Sequence, residues 1–361
     1  MSKLSYPDDI RALKLHNSSI IVDAHSDIPF DLVRRPRTHE SPMKQRHIPN
    51  LRTGGVDVVV CALTWDGRVY SGELLRALKA LNVVNAEVER NADDLVVARN
   101  TSEIRKAKED GKISLILGFE GGKPLEGELT LLKTFYDLGV RYLGLTWNHR
   151  NQLADGVGEP TNSGLSNFGR EVILEANRLG VLLDVSHISE KGFWDVIELS
   201  KEPVMASHSN SKTLCNDPRN LTDDQIKALC EKGGVIGVNF VSKFLQSTSP
   251  RRATLDDVLD HIDYIADLVG VEHVGLGPDF MDYSSDLRDQ ISKVKNYVFN
   301  DEWSEVLGGS PSDTETYPEN LESITKLPNL TCGLIERSYS DNEIKKILGR
   351  NFLRLFKKIQ N

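Results

Sequence analysis

The sequence predicts an α/β fold, a (β/α)8 TIM-type barrel, and three observations carry that prediction. Short apolar runs alternate with segments of helical periodicity, glycines stand where helical segments give way to the next run, and metal- or proton-binding side chains follow five of the runs.

The runs, in order, are Ile20–Asp23, Val56–Leu63, Ile113–Phe119, Arg141–Leu145, Val181–Val185, Val204–Ala206, Val235–Asn239 and His273–Leu276, most of them rich in β-branched or other apolar residues. Between them, helical periodicity covers Leu74 to about Asn100, Glu128–Leu138, Phe168–Leu179, Lys191–Leu199, Thr222–Cys230 and Thr254–Val269. Thr222 with Gln225 has the capping-box pattern of a helix start, and Ser340 or Asp341 can open a later helix. Gly139, Gly180, Gly233 and Gly270 fit helix ends that need a positive φ. Eight strands alternating with helices suit a closed parallel barrel with its chemistry at the C-terminal strand ends; a doubly wound open sheet is the alternative that the same alternation allows. No Pro/Ser linker divides the chain, so residues 1–361 are expected to form one domain. Within it, about 279–316 reads as an elaborated polar loop after the last strand, carrying Tyr283, Tyr297, Phe299 and Trp303, and Leu321–Ile324 and Ile344–Ile359 read as closing helices.

With 361 residues, 39% hydrophobic and 27% charged, the chain can bury a large core and reads as a soluble globular protein. Its formal charge of -9 and its scattered lysines and arginines argue against a nucleic-acid surface and against binding to an anionic membrane. Cys61, Cys215, Cys230 and Cys332 are far apart with no CxxC spacing, which fits a reducing compartment. The start, MSKLSYPDDIRALKLHNSS, lacks the apolar stretch of a signal peptide, and the run Val56–Leu63 is far shorter than the about 20 residues of a membrane helix. A cytoplasmic protein is expected.

The polar residues after the runs carry the functional signal. His25 and Asp27 follow the first run in IVDAHSDIP, Glu120 follows ISLILGF and precedes Gly121-Gly122, His187 follows VLLDVS, His208 follows VMAS, and Asp279 follows HVGLGP. In a barrel these ends converge. On an extended segment residues i and i+2 share a face, so His25 and Asp27 can reach one ion. Taken singly, His187 or His208 is more often a hydrogen-bonded structural residue, and His25 with Asp27 is equally a polar exit from a buried strand. Glu120 resists that reading, because a carboxylate after so apolar a strand needs solvent or a partner, and the glycines beside it admit close approach of a ligand. Asp279 has the same character. Asp23 and Asp184, inside the runs, suit backbone capping ahead of support for a ligand histidine. Imidazole nitrogens mixed with carboxylate oxygens suit zinc ahead of manganese, cobalt or iron. Two ions about 3.5–4 Å apart need a shared ligand, and a carboxylate can bridge where a neutral imidazole cannot, which makes Glu120 the natural bridge.

These stretches, with GLTWNHRNQLADG, GLSNFGREVILEANRLGVLLDVSHIS, PVMASHSNSKTLCNDPRNLTDDQIKAL, GGVIGVNF, HVGLGPDF and the terminal ILGRNFLRLF, resemble the membrane dipeptidase family in family order and over roughly the whole chain. The family is also called renal dipeptidase or peptidase family M19. The resemblance implies a catalytic barrel of the metal-dependent hydrolase kind with two Zn2+ ions per chain, which hydrolyses dipeptides to free amino acids by a metal-bridging hydroxide. It implies His25 and Asp27 on the first zinc, Glu120 as the bridge, and His187 and His208 on the second. It further implies Asp279 as the catalytic proton carrier beside the bridging water, and Arg219 in DPRN as the receiver of the dipeptide's carboxylate. A guanidinium's planar donor fork suits that task, although Pro218-Arg219-Asn220 in isolation reads as a surface salt bridge in a polar turn. Some relatives accept a D-residue at the C-terminal position, and a homodimer is suggested on the same ground.

The chain departs from the family pattern at two places. Trp147 in LTWNHR stands where many members have a histidine that stabilises the substrate carbonyl; His149 or Asn148 can take that role, or the metal alone, and Trp147 can equally be a packing residue at the barrel mouth. Met281 and Asp282 in GPDFMD replace the usual aspartate and glycine, and neither is expected to be catalytic. The rival functions are hydrolysis of another amide at the same centre, such as an N-acyl amino acid or a lactam, and a metal-poor barrel acting as a binding protein.

Overall fold

The computed structural model describes residues 10–34, 41–65, 72–246, 251–281 and 316–360. The strands are β1 (Val22–Ser26), β2 (Val58–Trp65), β3 (Leu95–Val97), β4 (Ile113–Glu120), β5 (Val140–Gly144), β6 (Leu182–Asp184), β7 (Met205–Ala206), β8 (Val235–Val238) and β9 (Val274–Leu276). Their order is β1-β2-β4-β5-β6-β7-β8-β9, every neighbouring pair is parallel, and β9 returns to lie against β1. The result is a nearly closed barrel wrapped by helices, and the open doubly wound alternative is excluded. Most of the polar segment expected after the last strand, including Asp282, Tyr283, Tyr297, Phe299 and Trp303, lies outside the described residues.

One expected element divides. Helical periodicity over Leu74 to Asn100 becomes a helix at Glu73–Arg90, then β3, then a second helix at Thr101–Glu109. Asn91 ends the first helix at φ -120°, and its side-chain amide donates to the Glu87 carbonyl. Leu95-Val96-Val97 then pairs with Ile113-Ser114-Leu115 at the edge of β4. Tertiary pairing overrides the helical pattern here because no glycine or proline marks the break. At the other end of the chain the closing helices are Pro328–Glu336, Asp341–Lys345 and Asn351–Gln360, and a 3₁₀ turn at Ile324–Lys326 stands where a helix was expected at Leu321–Ile324. Both capping signals are realised: Thr222 with Gln225 and Ser340 with Glu343 form reciprocal capping boxes.

Alternation along β2 separates two cores. Val59, Cys61 and Leu63 pack outward with helix residues such as Ala77 and Val84, whereas Val58 and Val60 face the lumen with Ile116, Tyr142, Leu182 and Met205. Phe352, Phe356 and Ile359 of the final helix join that lumen cluster. They meet Val22 and Val58, which begin their strands, so the helix plugs the N-terminal end and leaves the C-terminal end for chemistry. Gly118 of β4 is paired with Tyr142 of β5, and a Cβ at 118 would lie 2.1 Å from Tyr142 Cδ1. The missing side chain is what admits the tyrosine ring to the lumen.

Gly180 ends the helix Asn167–Leu179 at φ 77°, and a Cβ there would lie 2.7 Å from the Ile359 carbonyl oxygen of the plugging helix. Gly180→Ala is therefore expected to lower the unfolding free energy by about 1–3 kcal/mol, from the left-handed backbone and the forced shift of Ile359 together. Urea titration followed by far-UV circular dichroism measures it.

Candidate metal centre

The first candidate pair, His25 and Asp27, depends on an irregularity in β1. Val22 and Ala24 face the lumen, and strict alternation would turn His25 away from it. Between Asp23 and Ser26 the register with β2 shifts, Asp23 pairing with Val59 and Ser26 with Cys61, so β1 carries one extra residue and the next side chain inward is His25. The Asp23 carboxylate caps this step by accepting the His25 backbone N–H at 3.1 Å. Asp27 follows the strand, and its carbonyl accepts from Phe30 N at 2.9 Å as the helix Ile28–Arg34 begins. Glu120 is the last residue of β4, while His187 and His208 come two or three residues after β6 and β7. Asp279, after β9, has φ 60°, a left-handed conformation that a non-glycine residue adopts only when it is held. Tyr317 holds it by donating its hydroxyl to the Asp279 carbonyl at 2.8 Å, and Asn239 donates its amide to Asp279 Oδ2 at 3.1 Å.

Five strand ends thereby bring six side chains together. Two sets of ligand atoms, from His25, Glu120 and His208 and from His25, Asp27 and Asp279, each lie within 4.8 Å of one another. His25 Nε2 is 3.5 Å from Glu120 Oε1, 3.8 Å from Asp279 Oδ1 and 3.9 Å from Asp27 Oδ1. Glu120 Oε1 is 2.8 Å from His187 Nε2 and 3.3 Å from His208 Nε2. The His25 and His208 rings stack with centroids 3.8 Å apart.

Burial decides the charge states. It pushes the Glu120 and Asp27 carboxyls well above their ordinary range, with the neighbouring carboxylates adding to the effect. Asp279 is raised to about 6, by burial first, against the opposing pull of Asn239 and Arg219. Burial also lowers the imidazoles, His25 to about 3 and His187 and His208 well below their ordinary value. Three carboxyl groups that resist ionisation therefore face neutral imidazoles, and the buried cation among them is Arg219.

The donor set fits a divalent cation on a further ground. His187 Nδ1 lies 2.8 Å from Asn148 Oδ1, an acceptor, so it carries the proton and Nε2 is bare. Ser207 gives its hydroxyl proton to Asp184 Oδ2 at 2.5 Å, so His208 Nδ1, 2.7 Å from the same hydroxyl, is also protonated and its Nε2 is bare too. These two lone pairs face each other at 2.8 Å, beside a carboxylate oxygen. A protonated Glu120 or the Arg219 guanidinium can serve one of these acceptors at a time, whereas a metal ion satisfies all three together. His25 Nδ1 and Nε2 and Glu120 Oε2 are likewise buried without a hydrogen-bond partner.

Arg219 is buried beside this group. It donates to the carbonyls of Ser186 and His208, approaches His187 Nε2 at 3.2 Å, and keeps a buried Nε without a partner. In the loop after β5, Trp147 is fully buried with its ring centroid 6.0 Å from that of His187 and 5.7 Å from that of His149, which is half-buried. A cavity of about 700 Å³ lined in part by Lys123, Arg150 and Gln152 opens beside this loop, large enough for a small ligand. Sequence reasoning missed the tethers: Asn148 on His187, Ser207 on His208, and Asn239 and Tyr317 on Asp279. Asn239 and Ser207 at strand ends carried a positional signal, whereas nothing in the sequence ties Tyr317 to a residue 38 positions earlier.

The family profile described as Membrane dipeptidase (Peptidase family M19) matches residues 10–300 and 303–361. The chain belongs to the membrane dipeptidase family. Among the relatives of this chain, an uncharacterized dipeptidase of Schizosaccharomyces pombe is 36% identical over 274 residues, 74% of this chain but 56% of that protein, so the chain spans little more than half of its length. A Klebsiella pneumoniae protein described as uncharacterized and in the pqqA 5′ region is 32% identical over 77% of this chain and 94% of its own. The crystal structure of a metallo peptidase from Rhodobacter sphaeroides, liganded with a phosphinate mimic of the dipeptide L-Ala-D-Ala, superposes with a TM-score of 0.76 at 25% identity, covering 94% of this chain and 99% of that one. Among the described residues, no helix is long and apolar enough to cross a membrane.

The charge states set a pH signature. Carboxyls raised above their unfolded values hold their protons to higher pH in the folded, metal-free protein, and a cation must displace those protons. Added Zn2+ is therefore expected to raise the melting temperature more at high pH than at low, the gain falling as the pH drops and the carboxyls of Asp27 and Glu120 regain their protons. Differential scanning calorimetry of chelated and zinc-loaded protein between pH 4 and 8 checks the sign.

Proposed function

We propose that the protein is a dinuclear zinc dipeptidase acting on dipeptides with both termini free. The observation that carries this is the meeting of two bare imidazole nitrogens and Glu120 Oε1 next to a second set of ligands from His25, Asp27 and Asp279. In this reading His25 and Asp27 hold one ion, His187 and His208 hold the other, and Glu120 holds both. Such ions supply Lewis acidity that makes water nucleophilic near neutral pH and polarises the peptide carbonyl. Cytoplasmic location belongs to the same proposal, supported by four buried cysteines without CxxC spacing.

The chain's own groups then have distinct tasks. Asp279 takes the proton of the attacking water on Oδ1, since Oδ2 is engaged by Asn239, and returns it to the departing amine. A carboxyl poised near 6 suits both transfers. Arg219 receives the α-carboxylate, and its buried Nε without a partner supports the assignment. Asn148 is committed to His187 and Trp147 packs against the His187 ring, so both shape the site from behind. His149, half-buried beside Trp147, is assigned to the substrate carbonyl in this reading. Acceptance of a D-residue at the C-terminal position is part of the reading, supported by the L-Ala-D-Ala mimic in the Rhodobacter sphaeroides structure.

Glu120→Gln should nearly abolish turnover, with lowered metal content and the fold retained by circular dichroism. Asp279→Asn should lower kcat by about 10²–10⁴-fold with metal content unchanged, the usual worth of a positioned acid–base group. Amidating the C-terminus of a good dipeptide should cost about 1.5–3 kcal/mol in kcat/KM through the lost charge-assisted bond to Arg219. A panel of L-L and L-D dipeptides, their amides and N-acyl amino acids on metal-quantified enzyme measures all three, and equal rates on acids and amides would sink the Arg219 assignment.

A further inference from the structure

The protons beneath His208 can be placed by elimination. Asp184 Oδ1 accepts from the backbone N–H groups of Ser186 at 3.1 Å and Ser207 at 2.9 Å and from the Ser186 hydroxyl at 2.7 Å. Oδ2 accepts from the Ser207 hydroxyl, which has then spent its single proton and receives one from His208 Nδ1. Asp184 is 3% exposed and ends β6, yet the histidine it governs follows β7. Its influence thus crosses to the neighbouring strand and bypasses His187, which lies in its own loop.

We propose that Asp184 is a positioning residue for metal binding: through the Ser207 hydroxyl it holds His208 in the tautomer whose Nε2 is free to ligate. The proposal rests on the metal-centre part of the functional reading and is independent of which bond the enzyme cleaves. Capping alone would make Asp184 a structural residue; the Ser207 relay gives it a second task, which a chosen pair of substitutions separates.

Asp184→Asn keeps the shape and reverses one bond. The Oδ1 position faces three donors and must stay an oxygen, so the amide nitrogen takes the Oδ2 position and donates to Ser207. The hydroxyl then turns its proton toward His208 Nδ1, and the imidazole proton moves to Nε2, where it blocks the metal. Removing the misdirected hydroxyl, in the double variant with Ser207→Ala, lets the imidazole return to its ligating tautomer.

Chelator competition on zinc-loaded wild type, D184N, S207A and the double variant tests this, with circular dichroism as the check on folding. D184N is expected to weaken one zinc equivalent by about 10–100-fold, S207A by less, and the double variant should bind more tightly than D184N. Spectra of ¹⁵N-histidine in the metal-free protein should show His208 protonated on Nδ1 in the wild type and on Nε2 in D184N. Wild-type affinity in D184N, or a double variant no tighter than D184N, overturns the proposal. If D184N does not fold, S207A decides, since unchanged zinc affinity there overturns it equally. No readout uses turnover, so a failed dipeptidase assay and a failed relay are distinguishable.

Discussion

Asp27, Glu120 and Asp279 share a largely buried space with three imidazoles and the Arg219 guanidinium, and the resulting excess of negative charge is the constraint that the rest of the structure serves. An uncompensated carboxylate in a protein interior costs several kcal/mol. The imidazoles cannot supply the missing positive charge, because burial keeps them neutral, His25 down to about pH 3. A divalent cation turns the same arrangement from a cost into binding energy, provided that no ligand can retreat to solvent. Holding these side chains at one rim is what the barrel's strand ends do.

Parallel strands are well suited to it. Each strand end delivers a side chain to one rim, the plugging helix with Phe352 and Phe356 closes the opposite end, and the extra residue in β1 turns His25 inward where strict alternation would not. The groups behind the ligands act across strand boundaries: Asn148 after β5 fixes His187 after β6, and Asp184 of β6 reaches His208 after β7. Neighbouring strands thus set one another's protonation as well as their spacing.

Much of this was legible in the sequence, and for physical reasons. Buried parallel strands are apolar almost throughout, so a ligand following each one stands out against its own strand, as Glu120 does after ISLILGF. β3 was hidden because Leu95-Val96-Val97 continues a helical pattern that no breaker interrupts, and only pairing with β4 makes it a strand. The positive φ of Asp279 was equally hidden, since its support comes from Tyr317, remote in the chain. The duties of Asn148 and Trp147 required coordinates as well: composition shows that an amide and an indole stand in the loop, whereas only packing shows that one grips His187 Nδ1 and the other lies near the His187 ring.

The absent side chain at Gly118 has a consequence beyond packing. Tyr142 fills the volume that Gly118 leaves, and its buried hydroxyl lies within electrostatic reach of Glu120 and Asp184. The two positions exchange volume across adjacent strands, so neither can drift alone: a larger residue at 118 evicts the ring, and a smaller one at 142 opens a void beneath the ligands. The floor of the metal centre thus depends on the two positions together, and a change at either one alone costs packing.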